Sequence, residues 1–219
     1  VPLWGKRGDF YHEPMNTISA NPAQYPTARV KTLPLHVHDV LKHAARVHAA
    51  VKVTSIALDG AVERQNYAEL AATARDCAAQ LHVLGFQPGD ALVSFGLSSL
   101  DQMVWLYGAL DQGVVTHLLN PQHRPEDLGL FLQQIRPKLV LHDAATAGAV
   151  QALQGLLPGS SVRSMTHRNA EGAVGYVPAQ FPEDTLSHVC YSSGTTGTPK
   201  VVEYTHRSTL LHTLSLIHI

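Results

Sequence analysis

Small hydroxyl residues, two glycines and a lysine are concentrated in one stretch, CYSSGTTGTPKVVEYTHRS, over Cys190–Ser208. Glycine lets the backbone turn sharply and bring N–H groups close to an anion, and Ser and Thr hydroxyls add donors around phosphate oxygens. Lys200 supplies a compact positive charge that can reach the same oxygens. This combination predicts a loop that binds phosphate groups. The predicted phosphate-binding residues are Ser192, Ser193, Gly194, Thr195, Thr196, Gly197, Thr198 and Lys200.

The residues around the lysine distinguish this loop from a Walker A loop. That motif ends in Gly-Lys-Ser/Thr and leads directly into a helix. Here Pro199 precedes Lys200, and proline has no N–H to donate and a fixed φ. The residues VVEY after Lys200 are typical of a strand. The sequence therefore predicts a loop between two strands and disfavours an unrelated nucleotide-dependent kinase.

The elements before the loop predict the sheet that must position it. Leu186–Tyr191 is an apolar strand that ends at the loop. Upstream, short apolar strands alternate with amphipathic helices, and strands that are apolar throughout are typical of a parallel sheet covered on both faces. The predicted fold class is therefore α/β with a mostly parallel sheet. Its other predicted strands are Ala91–Phe95, Val114–Leu119 and Lys138–His142, and its helices begin at Asn66, Ser99 and Pro125.

Further elements flank this alternating region. Asn66 and Glu69 have the spacing of a capping box, which predicts where the first long helix begins. Met103, Trp105 and Tyr107 lie in the next helix and are expected to be core residues rather than ligand contacts. The remaining predicted elements are a helix over Asp39–Ala50, a hairpin of Thr54–Leu58 and Ala61–Gln65, a helix over Ala144–Leu157 and a strand over Ser161–Met165.

The composition of the 219 residues narrows the class of protein. Hydrophobic residues make up 45% and charged residues 15%, which allows a sizeable core, and the formal net charge is -1. This balance predicts no nucleic-acid partner, and no apolar run approaches the ~18 residues that a membrane span needs. Cys77 and Cys190 share no metal-type spacing and indicate a reducing compartment. The cytoplasm is expected by default, with mitochondria and peroxisomes left open.

Histidine is frequent, with 14 in the chain, and four lie before or inside the first predicted helix: His36, His38, His43 and His48. His43 and His48 are five residues apart, which does not place them on one helix face. We therefore expect surface or partly buried histidines and no metal site. His206 and Arg207 follow the strand after the loop. They are candidates to lie near substrate or phosphate, with a role at a helix start or on the surface as the alternative.

The loop and two upstream segments resemble the adenylate-forming enzymes, which include the acyl-CoA synthetases. YSSGTTGTPK, over Tyr191–Lys200, is similar to the family's loop for the β- and γ-phosphates of ATP. Asn66–Leu92 is similar to its first long helix, and Gly108–Asp143 to its next βαβ unit. Within the family, THLLNPQ and the loop stretch are most similar to medium- and long-chain fatty acyl-CoA synthetases, including those that act on 3-methylthiopropionate. The resemblance covers roughly residues 35–212.

The resemblance implies a two-step reaction in a longer parent protein. A carboxylate attacks the α-phosphate of ATP to give an acyl-adenylate and pyrophosphate, and CoA then takes the acyl group. The implied small molecules are ATP, Mg²⁺, a fatty acid and CoA. The family's segments for adenine, ribose and Mg²⁺ and its adenylation lysine are not in this sequence, so we expect no catalytic residue here and no turnover by this fragment. The alternatives are an aryl, amino-acid or luciferase-like adenylating enzyme, or a non-catalytic nucleotide-binding fragment.

One position departs from the family pattern. Val201 stands where the family normally has glycine after the loop lysine. Either this position has ordinary β backbone, or a β-branched residue is held at positive φ and the loop is strained.

The predicted domain organisation has three parts, and the oligomeric state is left open. Residues 1–34 are expected to be an irregular lead-in, of which the first 14 precede Met15 and are a candidate non-native leader. Residues 35–213 are expected to be a partial AMP-binding domain, incomplete at its carboxyl side. The last six residues, LSLIHI, resemble a translated sequencing adaptor and are expected to be a non-native tail, residues 214–219.

Overall fold

The computed structural model describes residues 33–168, 175–192 and 200–216. Most of the predicted lead-in and the last three residues of the predicted tail lie outside these ranges. In chain order the elements are α1 His38–Val47, β1 Lys52–Ile56, β2 Val62–Asn66, α2 Tyr67–Val83, β3 Ala91–Phe95, α3 Leu100–Gln112, β4 Val115–Leu119, α4 Pro125–Ile135, β5 Leu139–His142, α5 Ala147–Leu153, β6 Ser161–Ser164, β7 Leu186–Tyr191, β8 Val201–Thr205 and α6 His206–Leu216.

A six-stranded sheet with the order β6-β5-β3-β4-β7-β8 forms the centre of the fold. Its strand pairs are parallel, except that β8 runs antiparallel to β7 at the end of this order. The predicted hairpin is present as a separate antiparallel pair, β1 and β2. The prediction of an α/β fold with a mostly parallel sheet is therefore confirmed.

Apolar side chains pack on both faces of the sheet. On one face, Leu92 and Leu139 join a core with residues of α2 and α3. On the other face, the adjacent residues Val93 and Val140 join a core with α4 and α5. Since successive strand residues point to opposite faces, strands buried on both sides are mostly apolar along their length instead of alternating. This explains why these strands show apolar runs rather than alternation.

The close approach of α2 and α3 depends on Gly108. A Cβ atom built at this glycine would lie 2.7 Å from the carbonyl oxygen of Ala74 and 2.7 Å from the Cβ of Cys77. It would also lie 2.9 Å from the backbone nitrogen of Ala78. Two of these three contacts are with backbone atoms, so a rotamer change cannot relieve them. The absence of a side chain at Gly108 therefore lets the two helices pack at this distance.

Local signals place the ends of these helices as predicted. The side chain of Asn66 accepts from the backbone N–H of Glu69 at 2.9 Å, and the backbone N–H of Asn66 donates to the Glu69 carboxylate at 2.8 Å. Gly113 ends α3 with φ 71°, a left-handed conformation that favours glycine. Trp105 is buried, and Met103 and Tyr107 pack against the same core. The predictions of the capping box and of these core residues are confirmed.

Two predicted helices are shorter in the structure. The first was expected to reach Ala50, but α1 ends at Val47 because the chain turns there, with Val51 N–H donating to the His48 carbonyl at 3.0 Å. His48 therefore lies beyond the helix, and its ring packs edge-on against His43 at 6.5 Å between centroids. The helix-face argument for His43 and His48 thus did not apply.

The second shortened helix was predicted over residues 144–157. Its start is delayed because Asp143 and Thr146 hydrogen-bond to each other, with Thr146 N–H donating to Asp143 Oδ1 at 2.8 Å. It also changes to a 3₁₀ turn at Gln154. Among the described residues, no helix combines the length and apolarity needed to cross a bilayer.

The packing at Gly108 leads to a testable prediction. We expect Gly108→Ala to lower the free energy of unfolding by about 1–3 kcal/mol, because the added methyl group overpacks the α2–α3 contact. Gly148→Ala is the matched control, since it lies in a helix with nothing within 4 Å of the built Cβ. The control should be neutral or stabilise by up to about 1 kcal/mol. Urea unfolding followed by circular dichroism measures both. Equal effects of the two substitutions would contradict the prediction.

Candidate phosphate-binding site

The loop predicted to bind phosphate leaves the sheet between β7 and β8. Tyr191 pairs with Val201, and beyond this pair Ser192 N–H donates to the Lys200 carbonyl at 2.9 Å. Lys200 N–H donates in return to Ser192 Oγ at 2.9 Å. The prediction of a loop between two strands is therefore confirmed, and these bonds close its base. The other predicted loop residues, Ser193, Gly194, Thr195, Thr196, Gly197 and Thr198, lie outside the described residues.

The base of the loop lies at the carboxyl edge of the parallel strands. β7 is parallel to β4, with Leu118 opposite Cys190, and β4 is parallel to β3. In open α/β sheets, ligands bind outside the carboxyl ends of the strands. The loop is therefore attached to the edge of the sheet where this architecture places ligand sites.

Tyr191 anchors the strand end that enters the loop. Its hydroxyl is hydrogen-bonded to His117 Nδ1 at 2.8 Å, and its ring packs on Phe131 at 4.3 Å between centroids. Burial lowers the pKa of His117 to about 4, so the imidazole is neutral near neutral pH. Burial, followed by the charge of Glu203, raises the pKa of Tyr191 to about 12. The tyrosine hydroxyl therefore also stays neutral, and the bond joins two uncharged groups.

His117 was not predicted as a site residue. It lies in β4, and its side chain reaches a residue 74 positions away in the sequence. The signal that could have found it is a histidine inside the otherwise apolar run of that strand. A partly buried histidine at such a position needs a polar partner.

Ser192 and Lys200 are the described residues of the predicted loop that can meet a ligand. Both are exposed. Among the described residues, no carboxylate lies within salt-bridge distance of Lys200. An ammonium group in this position is available to an anion, and phosphate oxygens are suitable partners for it.

Val201 has ordinary strand backbone. It is the first residue of β8 and pairs with Tyr191. Its φ is negative, because Arg136 is the one non-glycine residue with positive φ in the described part of the chain. Its side chain is 48% exposed, so the β-branched group does not press on a neighbour. Of the two alternatives for this position, the structure supports the unstrained one.

His206 lies at the other end of β8 and is buried, with no exposed surface. Its Nδ1 accepts from Val37 N–H at 3.3 Å, and its ring lies 5.0 Å from that of Phe181 between centroids. Burial, followed by the charges of His38 and His36, lowers its pKa to about 3. Arg207 forms an ion pair with Glu183 and donates its backbone N–H to the Glu183 carbonyl at 2.8 Å.

His206 and Arg207 lie at the opposite end of β8 from Lys200, the described residue at the base of the loop. The five residues of β8 separate Lys200 from His206. At a rise of about 3.3 Å per residue, the two positions are about 20 Å apart. That His206 and Arg207 lie near substrate or phosphate stays a prediction, and the described contacts of both residues are those of a helix start. Both residues join the start of α6 to the segment before β7.

The two cysteines are both free, and burial raises their pKa values. The pKa of Cys77 rises to about 12, and that of Cys190, beside the loop, is also raised. A raised thiol pKa reduces the thiolate fraction that reactivity requires. Neither thiol is therefore activated for nucleophilic chemistry.

A sequence profile of the family described as AMP-binding enzyme matches residues 42–218. The chain is 31% identical over 205 residues to the 3-methylmercaptopropionyl-CoA ligase of Ruegeria lacuscaerulensis, which covers 85% of this chain and 38% of that protein. It is 29% identical to the medium-chain-fatty-acid–CoA ligase of Ectopseudomonas oleovorans, over 83% of this chain and 36% of that protein. The chain thus spans little more than a third of these relatives.

Solved structures show the same fold. VinN matches with a TM-score of 0.72 at 23% identity, over 84% of this chain and 47% of that chain. A fatty acyl-adenylate ligase from L. pneumophila matches with a TM-score of 0.69 at 20% identity, over 83% of this chain and 32% of that chain. Together with the curated relatives, these matches confirm the resemblance predicted from the loop and its upstream segments.

The burial of His206 predicts that the folded chain is less stable at acidic pH. The pKa of His206 is lowered from 6.5 to about 3 on folding, so its stabilising contribution is present above 6.5 and is lost as the pH falls towards 3. His206→Asn removes the titrating ring but keeps an acceptor for Val37 N–H. We expect the free energy of unfolding to fall when the pH is lowered from about 7.5 to about 5. In His206→Asn this fall should be smaller than in the unchanged chain, by on the order of 2 kcal/mol.

Urea unfolding at the two pH values measures the difference. His212→Asn is the matched control, since His212 is an exposed histidine of the same helix. It should keep the pH dependence of the unchanged chain. If His206→Asn also keeps it, buried neutral His206 is not a source of the acid sensitivity.

Proposed function

This chain belongs to the family of AMP-binding enzymes, and we propose that the loop between β7 and β8 binds the phosphates of ATP in an acyl-CoA synthetase. The full-length protein would activate a medium- or long-chain fatty carboxylate as an acyl-adenylate and then transfer the acyl group to CoA. The observation that carries the proposal is the loop base. Ser192 and Lys200 are held by two mutual hydrogen bonds at the carboxyl edge of the sheet, with the lysine exposed.

The first step joins a carboxylate oxygen to the α-phosphorus of ATP and breaks the bond from that phosphorus to pyrophosphate. Negative charge develops on the departing β- and γ-phosphates. A fixed ammonium group and hydroxyl donors aimed at those oxygens stabilise this charge without reorganising during the reaction. Lys200 and Ser192 are the described residues suited to this role. In the second step the CoA thiol attacks the acyl carbon and AMP departs.

The described loop residues fit phosphate and do not fit Mg²⁺. Mg²⁺ takes oxygen ligands, usually one or two carboxylates together with substrate phosphates. Ser192 offers a hydroxyl that is already used in the loop base, and Lys200 offers no lone pair. We therefore infer that the Mg²⁺ of the proposed reaction is bound by residues other than these two.

The choice of a fatty acid substrate is supported by the curated relatives, which include CoA ligases for medium-chain fatty acids and for 3-methylmercaptopropionate. Aryl, amino-acid and luciferase-like adenylation and nucleotide binding without turnover remain the competing functions. They differ in the carboxylate that is consumed and in whether pyrophosphate is released. Both quantities can be measured directly.

The role of Lys200 can be tested on the chain as it is. We expect Lys200→Ala to weaken the binding of ATP and of tripolyphosphate by about 10- to 100-fold, because it removes a charged hydrogen-bond donor to the terminal phosphates. AMP has no such phosphates, so its affinity should not change. Lys52→Ala is the matched control, since Lys52 is an exposed strand lysine of the separate two-stranded sheet.

Isothermal titration calorimetry gives these affinities. Lys52→Ala should bind all three ligands as the unchanged chain does. Equal loss in both variants would indicate a general effect of charge. Unchanged ATP binding in Lys200→Ala would contradict the proposed phosphate contact.

A second prediction concerns the release of pyrophosphate, which the proposed reaction requires. The chain spans 38% of a curated relative, so we expect the 219 residues alone to release no pyrophosphate from ATP and a fatty acid. The full-length protein, expressed from the complete transcript, should release it with octanoate or palmitate. It should have a lower kcat/KM with benzoate or with an amino acid. Preference for the aryl or amino acid would overturn the fatty acid assignment, and release by the short chain would overturn the need for further residues.

A further inference from the structure

Two histidines and an aspartate converge where α1 begins, far from the loop. His36, His38 and Asp39 each offer one ligand atom, and these atoms all lie within 4.8 Å of one another. We call these three residues the His36–Asp39 cluster. The proposed ATP chemistry does not use it, because it lies beside His206 at the amino end of β7.

Hydrogen bonding determines which nitrogen of His38 carries the lone pair. His38 Nδ1 lies 3.0 Å from the carbonyl oxygen of Leu110, and a carbonyl can only accept, so Nδ1 carries the proton. In the neutral ring, the lone pair is then on Nε2.

His36 shows the same arrangement with its nitrogens exchanged. Its Nε2 lies 3.1 Å from the carbonyl oxygen of Phe181 and donates to it. In the neutral ring the lone pair is then on Nδ1. Histidines that bind metals almost always donate their other N–H to a carbonyl, carboxylate or water, which fixes the tautomer and the ring orientation. Both histidines of the cluster satisfy this condition through backbone carbonyls.

The lone pair of His38 faces carboxylates rather than donors. Nε2 lies 3.5 Å from Asp39 Oδ1 and 3.9 Å from Asp111 Oδ1. Lys42 Nζ pairs with Asp111 Oδ1 and offsets that charge, whereas no lysine or arginine pairs with Asp39 among the described residues. In a tetrahedral zinc site with bonds of 2.0–2.1 Å, ligand atoms lie about 3.3–3.4 Å apart. The separation between His38 and Asp39 is close to this value.

Asp111 is better described as a neighbouring charge than as a ligand. Its Oδ1 already pairs with Lys42 Nζ at 2.6 Å, and its Oδ2 accepts from Tyr176 at 3.3 Å. Asp39, by contrast, has a side chain that is 55% exposed and can turn toward a bound ion. Its carboxylate also offsets the positive end of the α1 dipole, which would otherwise disfavour a cation there.

Two further rings form a wall beside the cluster. The His206 ring lies 5.4 Å from that of His36 and 6.1 Å from that of His38 between centroids. The Phe181 ring lies 4.5 Å from that of His36. His206 Nε2 is buried and has no hydrogen-bond partner within the described ranges. The wall excludes water from one side, which strengthens electrostatic attraction between an ion and its ligands.

We propose that His36 Nδ1, His38 Nε2 and the Asp39 carboxylate bind a divalent transition metal such as Zn²⁺, with water completing the coordination. Two imidazoles and one carboxylate suit Zn²⁺, Co²⁺, Ni²⁺ or Cu²⁺, whereas Mg²⁺ and Ca²⁺ prefer oxygen ligands throughout. All three ligands lie within residues 36–39, and hydrogen bonds to the carbonyls of Leu110 and Phe181 orient the two imidazoles for the ion.

Co²⁺ is the probe for the experiment, because its visible absorption reports the number and type of its ligands. We expect about one Co²⁺ per chain to bind at neutral pH with a four- or five-coordinate spectrum, and added Zn²⁺ to displace it. Asp39→Asn and His36→Gln should each weaken binding by at least about tenfold. Glutamine can keep the N–H donor to Phe181, so this variant preserves the structural bond while removing the metal ligand.

The matched control is His43→Gln, which alters an exposed histidine of the same helix and should leave the affinity unchanged. Circular dichroism and the urea midpoint without metal verify that all three variants are folded. Zn²⁺ should raise the unfolding midpoint of the unchanged chain and of His43→Gln and have little effect on Asp39→Asn. Failure to bind about one equivalent, or binding that both cluster variants retain, would overturn the proposal.

Discussion

The placement of β7 in the sheet determines where the candidate site can lie. β7 pairs in parallel with β4 on one side and antiparallel with β8 on the other. The chain therefore has to reverse direction at the carboxyl edge, where the parallel strands also end. The hydrogen bonds between Ser192 and Lys200 hold the two ends of that reversal together, and Tyr191 is hydrogen-bonded to His117 of β4. The position of the loop base thus follows from sheet topology, the Ser192–Lys200 hydrogen bonds and the contact between Tyr191 and His117.

The two candidate binding sites lie at opposite edges of the sheet and have opposite electrostatic character. The carboxyl edge presents the ammonium group of Lys200 and the Ser192 hydroxyl, which suit an anion. The amino edge holds the His36–Asp39 cluster, whose lone pairs and carboxylate suit a cation. β7 is six residues long, which at about 3.3 Å per residue separates the edges by about 20 Å. At this distance a metal at one edge makes no direct contact with phosphates at the other.

Features that depend on neighbouring residues were predictable from the sequence, and those that depend on distant contacts were not. The bounds of the strands Ala91–Phe95 and Leu186–Tyr191 agree with the prediction, because apolar runs and turn residues mark them locally. The loop base was predictable because its residues lie close together in the sequence. The contacts of His38 with Leu110 and of His36 with Phe181 span 72 and 145 residues. No spacing rule within one helix could have found them, and the burial of His206 was missed for the same reason.

The antiparallel strand β8 has a consequence for how the chain behaves in solution. It is the last strand in the order of the described sheet, and Val201, Val202 and Tyr204 are 48%, 39% and 37% exposed. An edge strand with apolar side chains and unpaired backbone groups is a template for strand addition, and a formal net charge of -1 gives little mutual repulsion between molecules. Glu203 is the charged residue that interrupts this apolar strand. Among the described residues, the strand that holds one end of the loop base is thus also the strand with the exposed apolar edge.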